Sequence, residues 1–187
     1  MGLKKPKSIK HNGKKLTDIL EAHERFFRGK EGGGRADLTG ADLSHADLRG
    51  VNFTGAVLRN ANLEGSDLRT AKLPCSDLTG AILRSADLRN ADMTEAGLAG
   101  ADLSGAEASG VEFFRCDLSN TNFQGARLRN VNLRSASVHG ARFTGADMGV
   151  AILRETDLTG ADLSGVDLST ALLPLGFSLP MAAKKGA

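Results

Sequence analysis

The sequence predicts an all-β solenoid, a coil of short straight runs and corners, on three observations. Every fifth residue from Leu38 to Leu173 is the centre of a pentad: of 28 such positions twenty are Leu, four are Phe (Phe53, Phe113, Phe123, Phe143), two are Met (Met93, Met148), and the others are Val138 and Ala108. Two residues before each centre stands a small residue, Ala at 19 positions and Val, Ser, Thr or Cys at the other nine. Two residues after it, 13 positions are Gly and four are Asn (Asn60, Asn90, Asn120, Asn130), residue types that tolerate left-handed backbone angles. No pentad from Ala36 to Leu175 is lengthened or shortened.

A period of five fits neither regular element. On an α-helix each step of five advances ~140°, so the leucines would smear around the cylinder. On a straight strand five is odd, and successive leucines would face opposite ways. Within a pentad, however, the small residue and the centre are two apart and share a face of an extended chain. All the pairs reach one interior only if the chain bends once per pentad. A longer period appears in Asp47 with Arg49, Asp67 with Arg69 and Asp87 with Arg89, which recur at twenty residues and suggest stacking in adjacent coils. Four pentads per coil divide the 28 into about seven coils, a rod on the order of 30 Å long at a strand spacing of ~4.8 Å.

The pentads match the A-(D/N)-L-x-x signature, and residues 36–175 resemble the pentapeptide-repeat proteins, bacterial type. The resemblance implies a right-handed quadrilateral β-helix with the small residues and the centres (Leu38, Leu43, Leu48, Phe53, Leu58, Phe113, Phe123, Phe143 and their equivalents) pointing inward. It also implies a short N-terminal α-helical cap before the first repeat. The chain then divides into a flexible basic arm (1–15), a capping helix with a Gly-rich linker (16–34), the β-helix (35–175), and a C-terminal cap with a disordered tail (176–187).

Composition agrees with one elongated domain: Trp and Tyr are absent and Phe numbers eight, as suits a thin Leu/Ala core. Nothing approaches 18 consecutive apolar residues, so no membrane span is expected, and the basic start is not followed by a signal-peptide core. Cys75 and Cys116 fall three coils apart by this count, ~14 Å and beyond disulfide reach. Cys116 occupies an inward small-residue slot. A reducing, cytoplasmic setting follows.

The net charge of +2 conceals an asymmetry. Residues 1–35 hold ten Lys/Arg against four Asp/Glu, and residues 36–173 hold twelve against eighteen. The N-terminal lysines read first as a solubilising terminus; weak contact with nucleic acid or an acidic partner is the alternative. From Leu16 the pattern turns helical, with Leu16, Ile19, Leu20, His23, Phe26 and Phe27 on one face. Thr17 is expected to cap its start, with Asp18 and Glu21 in the first turn, and Gly32-Gly33-Gly34 to end it. A helix of three turns does not persist alone; the open end of the first coil offers the surface it needs, and blocks edge-to-edge stacking of rods.

Within the rod, Ala108 lacks the volume of a Leu, and Phe113 or Phe123 is expected to lean into the gap, because an empty one costs ~2–5 kcal/mol. Outward, one column reads Asp47, Asp67, Asp87, Glu107, Arg127, Asp147, Asp167, and its neighbour reads Arg49, Arg69, Arg89, Ser109, Arg129, Gly149, Ser169. This is a self-neutralising ladder worth little at an exposed surface or a binding stripe for a charged partner. Val57, Ile82, Ile152 and Leu172 replace the usual outward Asp/Asn. Phe114, an outward ring on a polar face, is either an interface anchor or a single exposed apolar side chain of the ordinary kind. Past Leu173, the stretch Pro174-Leu175-Gly176-Phe177-Ser178-Leu179-Pro180-Met181 is expected to plug the last coil or to meet its copy in a homodimer.

No enzyme is expected. The histidines (His11, His23, His45, His139) form neither a metal cluster nor a catalytic constellation, the glycines belong to corners rather than a phosphate loop, and a gapless convex rod lacks a cleft. No cofactor is implied. Two classes remain: a protein-interaction or scaffold module with an unidentified protein partner, and, through the resemblance, a DNA-mimicking binder of DNA gyrase. Against the second stand a rod without an inserted loop, Arg in several outward slots, and no long helix after the repeats.

Overall fold

A computed structural model of the chain describes residues 2–177. From Asp37 to Asp162 each pentad contributes one bridge residue, and the bridges are parallel and twenty residues apart without a break from Asp37↔Val57 to Arg142↔Asp162. The chain therefore comes back over itself after four pentads. The small residues and centres fill the interior. Leu38, Leu43, Leu48, Phe53, Leu58, Phe113, Phe123 and Phe143 are all fully buried, and each buried Leu contributes roughly 1.5–3 kcal/mol.

A backbone that bends every five residues must still satisfy every N–H. Residues 61–65 show how. The Ala61 N–H donates to the Leu58 carbonyl across the corner at 3.1 Å; those of Leu63 and Gly65 reach up to Ile82 and Arg84 at 2.7 and 2.9 Å; that of Asn62 reaches down to Ala41 at 2.9 Å. The fifth, on Glu64, points where no backbone acceptor lies, and Asn62 Oδ1 accepts it at 3.1 Å. The same side-chain cap recurs from Asp37 to Asp167. This is why the outward residue before the centre is Asp or Asn in 17 of the 28 pentads, a role the sequence reading did not assign. Corners hold left-handed angles. At Gly110 (φ +72°) a side chain would be strained by the backbone angle, and its Cβ would stand 2.5 Å from Asn90 Oδ1 of the coil beneath, which would have to move.

Polar residues in small-residue slots are satisfied internally. Ser66 and Ser76 donate to the carbonyls of Leu63 and Leu73, both at 2.7 Å. Thr121 and Thr156 donate to Leu98 and Leu133 at 2.9 and 2.6 Å, and Cys116 Sγ donates to the Met93 carbonyl at 2.8 Å. Ala108 is itself fully buried; in the stretch that follows, Phe113 meets Phe123 edge to face at 5.8 Å, and Phe123 stacks on Phe143 at 5.0 Å.

The N-terminal segment departs from the expected flexible arm. Residues Pro6–Ser8 form a single 3-10 turn, and strands β1 (Lys10–His11) and β2 (Lys14–Lys15) pair antiparallel about Asn12-Gly13, both at positive φ. Asn-Gly is the preferred two-residue hairpin turn. The backbone of Lys4 supplies the edge that the first coil lacks, donating to the His45 carbonyl at 2.7 Å and accepting the Asp47 N–H at 2.8 Å.

Helix α1 (Leu16–Phe27) starts one residue before the expected cap. Lys15 precedes it without a side-chain cap; the Leu16 N–H donates to the Ile9 carbonyl at 2.9 Å instead, and Thr17 Oγ1 bonds Asp18. Its end is set by Gly29 (φ +60°), earlier than the triple glycine. Gly33 serves another purpose: a Cβ there would lie 2.5 Å from the Phe26 nitrogen, so only glycine lets the chain double back over the helix. Leu16 and His23 are buried and Ile19 and Leu20 pack on the core, whereas Phe26 and Phe27 remain about half exposed (48% and 49%). At the other end Leu175 is fully exposed and Phe177 packs against the core. The rest of the expected plug and the tail, residues 178–187, lie outside the described residues.

Two stability tests follow from this packing. If Phe113 or Phe123 leans into the space beside Ala108, Ala108→Leu is expected to cost ~1–3 kcal/mol in denaturant unfolding; a gain in stability would reveal a void. Asp92→Ala, which strips the acceptor for the Thr94 N–H at 3.0 Å, should cost about 1 kcal/mol, while Asp92→Asn keeps the acceptor and should cost under about half of that.

Candidate interaction faces

The outward columns read from the sequence form a zigzag. Arg49 grips Asp47 in a two-pronged fork (2.7 and 2.6 Å), Arg69 does the same to Asp67 (2.9 and 2.6 Å), and Arg89 to Asp87 (2.8 and 2.6 Å). Each of the first two arginines also leans toward the next coil, Arg49 Nε to Asp67 at 3.6 Å and Arg69 Nε to Asp87 at 3.5 Å. Planar forks of this kind suit a guanidinium and not an ammonium. The three arginines, with Thr70 and Asn90, line a shallow surface depression.

Arg129 does not join the forks, because position 127 beside it is Arg; it reaches Asp147 of the next coil at 3.3 Å, and Arg127 pairs with Glu107 at 3.2 Å. The ladder of alternating columns therefore changes geometry after Asp87. Phe114 is half-buried, with the Arg115 guanidinium 5.5 Å from its ring centroid, so the ring is partly covered. Of the outward apolar residues, Val57, Ile82 and Ile152 are half-buried and Leu172 is exposed.

His23 has a role that the sequence did not announce. In the later pentads, Val131 excepted, the N–H of the small residue bonds the preceding centre, but the first pentad has none before it. His23 Nδ1 accepts the Ala36 N–H at 3.0 Å in its place. Burial lowers the affinity of this imidazole for a proton. Cys116 is buried and its thiol is pushed up to about 12 by desolvation, while Cys75 is exposed; both are unpaired. Among the described residues no group of three or more His, Cys, Asp or Glu is placed to hold a metal, and no helix is long and apolar enough to cross a membrane.

The carboxylates are the titrating part of these faces. The hydroxyls of Thr39 and Ser44, then their N–H groups, hold Asp37 and Asp42 below the ordinary carboxylate value. Fork contacts from Arg69 and Arg89 do the same for Asp67 and Asp87.

The model of the pentapeptide-repeat family ("Pentapeptide repeats", eight copies) matches residues 36–73, 75–107, 112–149 and 151–173. A search of curated proteins found no match. Among solved structures, the chain is similar to trypsin-treated QnrB1, a plasmid-mediated fluoroquinolone resistance protein, at 20% identity over 75% of this chain and 88% of that one, with a TM-score of 0.48. It is similar to HetL, a pentapeptide-repeat protein involved in heterocyst differentiation regulation in the cyanobacterium Nostoc sp. strain PCC 7120, at 32% identity over 76% and 86%, with a TM-score of 0.22. It is also similar to alr5209, a pentapeptide-repeat protein of Nostoc PCC 7120, at 25% identity over 86% and 88%, with a TM-score of 0.35.

The lowered carboxylates make a pH prediction. A group whose folded value lies below its unfolded one stabilises the fold above the unfolded value and ceases to do so as pH falls through the folded one. The urea midpoint should therefore be level down to about pH 5 and decline below about pH 4, near the unfolded Asp value. A midpoint held constant to about pH 2 would contradict the assignment.

Proposed function

The chain is a member of the pentapeptide-repeat family, and we propose that it is a non-enzymatic protein-interaction or scaffold module whose flat rod faces receive a protein partner. Members of this family form right-handed β-helices and are in general structural or interaction modules rather than enzymes. The finer architecture belongs to the same proposal: a quadrilateral cross-section of about seven coils, closed at its start by α1. It is supported by bridges at every fifth residue, each joining positions twenty apart.

The single observation that carries the scaffold reading is regularity. The outward side chains repeat in straight columns, and the Arg49, Arg69 and Arg89 forks hold three guanidiniums in one fixed row. A row already ordered by its own carboxylates loses little side-chain entropy when a partner docks, which is where much of the cost of association falls. Homodimerisation through the C-terminal apolar segment is a further part of the proposal, motivated by the full exposure of Leu175. DNA gyrase is the alternative partner. The likeness to a fluoroquinolone resistance protein lies at 20% identity and carries no argument for it, and the arginine row runs against mimicry of an anionic duplex.

Capture from the native lysate tests the reading. The wild-type chain should retain a defined protein that the triple variant Arg49→Glu, Arg69→Glu, Arg89→Glu retains at least about tenfold less, equivalent to ~1.4 kcal/mol, with unchanged circular dichroism. Equal retention by the two removes this face from the proposal. In a gyrase supercoiling assay a large molar excess should neither inhibit nor protect, and either effect would put the alternative in its place.

A further inference from the structure

The rod pairs nine of its twelve cations, all but Lys72, Arg142 and Arg154, and the N-terminal segment leaves most of its lysines unpaired among the described residues. Arg49, Arg59, Arg69, Arg84, Arg89, Arg115, Arg127, Arg129 and Arg134 all pair with carboxylates of the rod. Of the six lysines in residues 1–15, Lys4 pairs with Asp42, and Lys5, Lys7, Lys10, Lys14 and Lys15 are exposed with no carboxylate at ion-pair distance among the described residues. These five are not carried on a loose arm. Buried Ile9 and Leu16 anchor the base of the β1–β2 hairpin, and Lys4 is tied to the first coil on both sides of its peptide.

The hairpin places its charges against one another. Lys10 stands directly opposite Lys15, and His11 opposite Lys14. Like charges at opposed positions of a strand pair destabilise it, so the arrangement spends stability that one acidic substitution would restore. The two pairs lie on opposite faces of the ribbon, since consecutive strand residues alternate; the His11–Lys14 face lines the groove toward the rod, and Lys10 and Lys15 stand on the other. The major groove of duplex DNA, about 12 Å wide, admits a two-stranded ribbon, and its phosphates are the anions that the exposed Lys10, Lys15, Lys5 and Lys7 would meet. No apolar side chain stands among residues 10–15 to enter a lipid layer. The carboxylates nearest the ribbon, Asp18 and Asp37, line a groove with His11 and Lys14 on its rod side.

We propose that the β1–β2 hairpin and the turn before it form a sequence-independent docking surface for the phosphate backbone of duplex DNA, separate from the rod faces. The contacts are ammonium to phosphate, without base reading, because lysines are point charges and the one amide at the tip, Asn12, is engaged with His11 Nε2 at 3.1 Å.

Fluorescence anisotropy with a labelled duplex of arbitrary sequence and the full chain tests this. With five phosphates engaged, affinity should fall about 500-fold between about 50 and about 200 mM salt. In Lys10→Gln, Lys14→Gln, Lys15→Gln the log–log salt slope should shrink by about 2.7, and in each single variant by about 0.9. The singles keep the test decisive should the triple variant lose its fold by circular dichroism. Arg49→Gln, Arg69→Gln, Arg89→Gln should bind as the wild type does. The proposal is overturned by absence of salt-dependent binding, by slopes unchanged in the lysine variants, or by equal loss in the arginine variant. Tighter binding to vesicles of anionic phospholipid than to the duplex at the same salt overturns it in favour of a membrane.

Discussion

The structure rests on one requirement: five backbone N–H groups per pentad must all find acceptors although the chain turns a corner every time. Four have backbone carbonyls available, one across the corner and three in the coils above and below. For the fifth, the acceptor within the pentad is the side chain of the residue two before it in the pentads that carry Asp or Asn there, which fit because a short side chain with an sp² oxygen closes that ring. The requirement binds the outward surface to the interior. An outward Asp is an acceptor for its own corner, and in Asp67 and Asp87 the capping oxygen also takes the arginine Nε while the other oxygen takes Nη2.

The ends of the repeat show the same requirement at work. The first coil has no coil beneath it and no pentad before it, and the chain supplies substitutes for both. Lys4 provides the missing edge with its backbone, and His23 provides the missing acceptor with a ring nitrogen. A neutral imidazole can accept there and an imidazolium cannot, which is consistent with burial disfavouring its protonated form. Covering the edge also removes a template for further strand pairing.

Charge is handled differently in the two regions. Along the rod, coil spacing forces like residues into columns, and the forks and diagonals of Arg49, Arg69 and Arg89 cancel what the stacking would otherwise repel. The amino-terminal hairpin opposes Lys10 with Lys15 and leaves that repulsion standing. Local rules broken without compensation in the folded chain are where a partner is expected.

Pentad period, the inward leucines and the small-residue slots were legible in the sequence because each is a local pattern repeated many times, so single exceptions such as Ala108 or Cys116 do not obscure it. The helical spacing from Leu16 was legible for the same reason. The rest needed the third dimension. Lysine-rich residues 1–15 carry no apolar alternation and read as an unstructured arm; Asn12-Gly13 was the one signal of a hairpin, and its order comes from contacts with Ile9, Leu16 and the edge at His45, far apart in the chain. Arg129 shares its column with Arg49, yet its partner is decided by the residue beside it and the coil above. The capping role of the outward Asp and Asn is likewise visible only when the direction of each N–H is known. A sequence of this kind determines what repeats, since repetition is local. Tertiary structure decides what happens where the repeat stops, because there the unsatisfied groups take whatever acceptor the rest of the chain can bring.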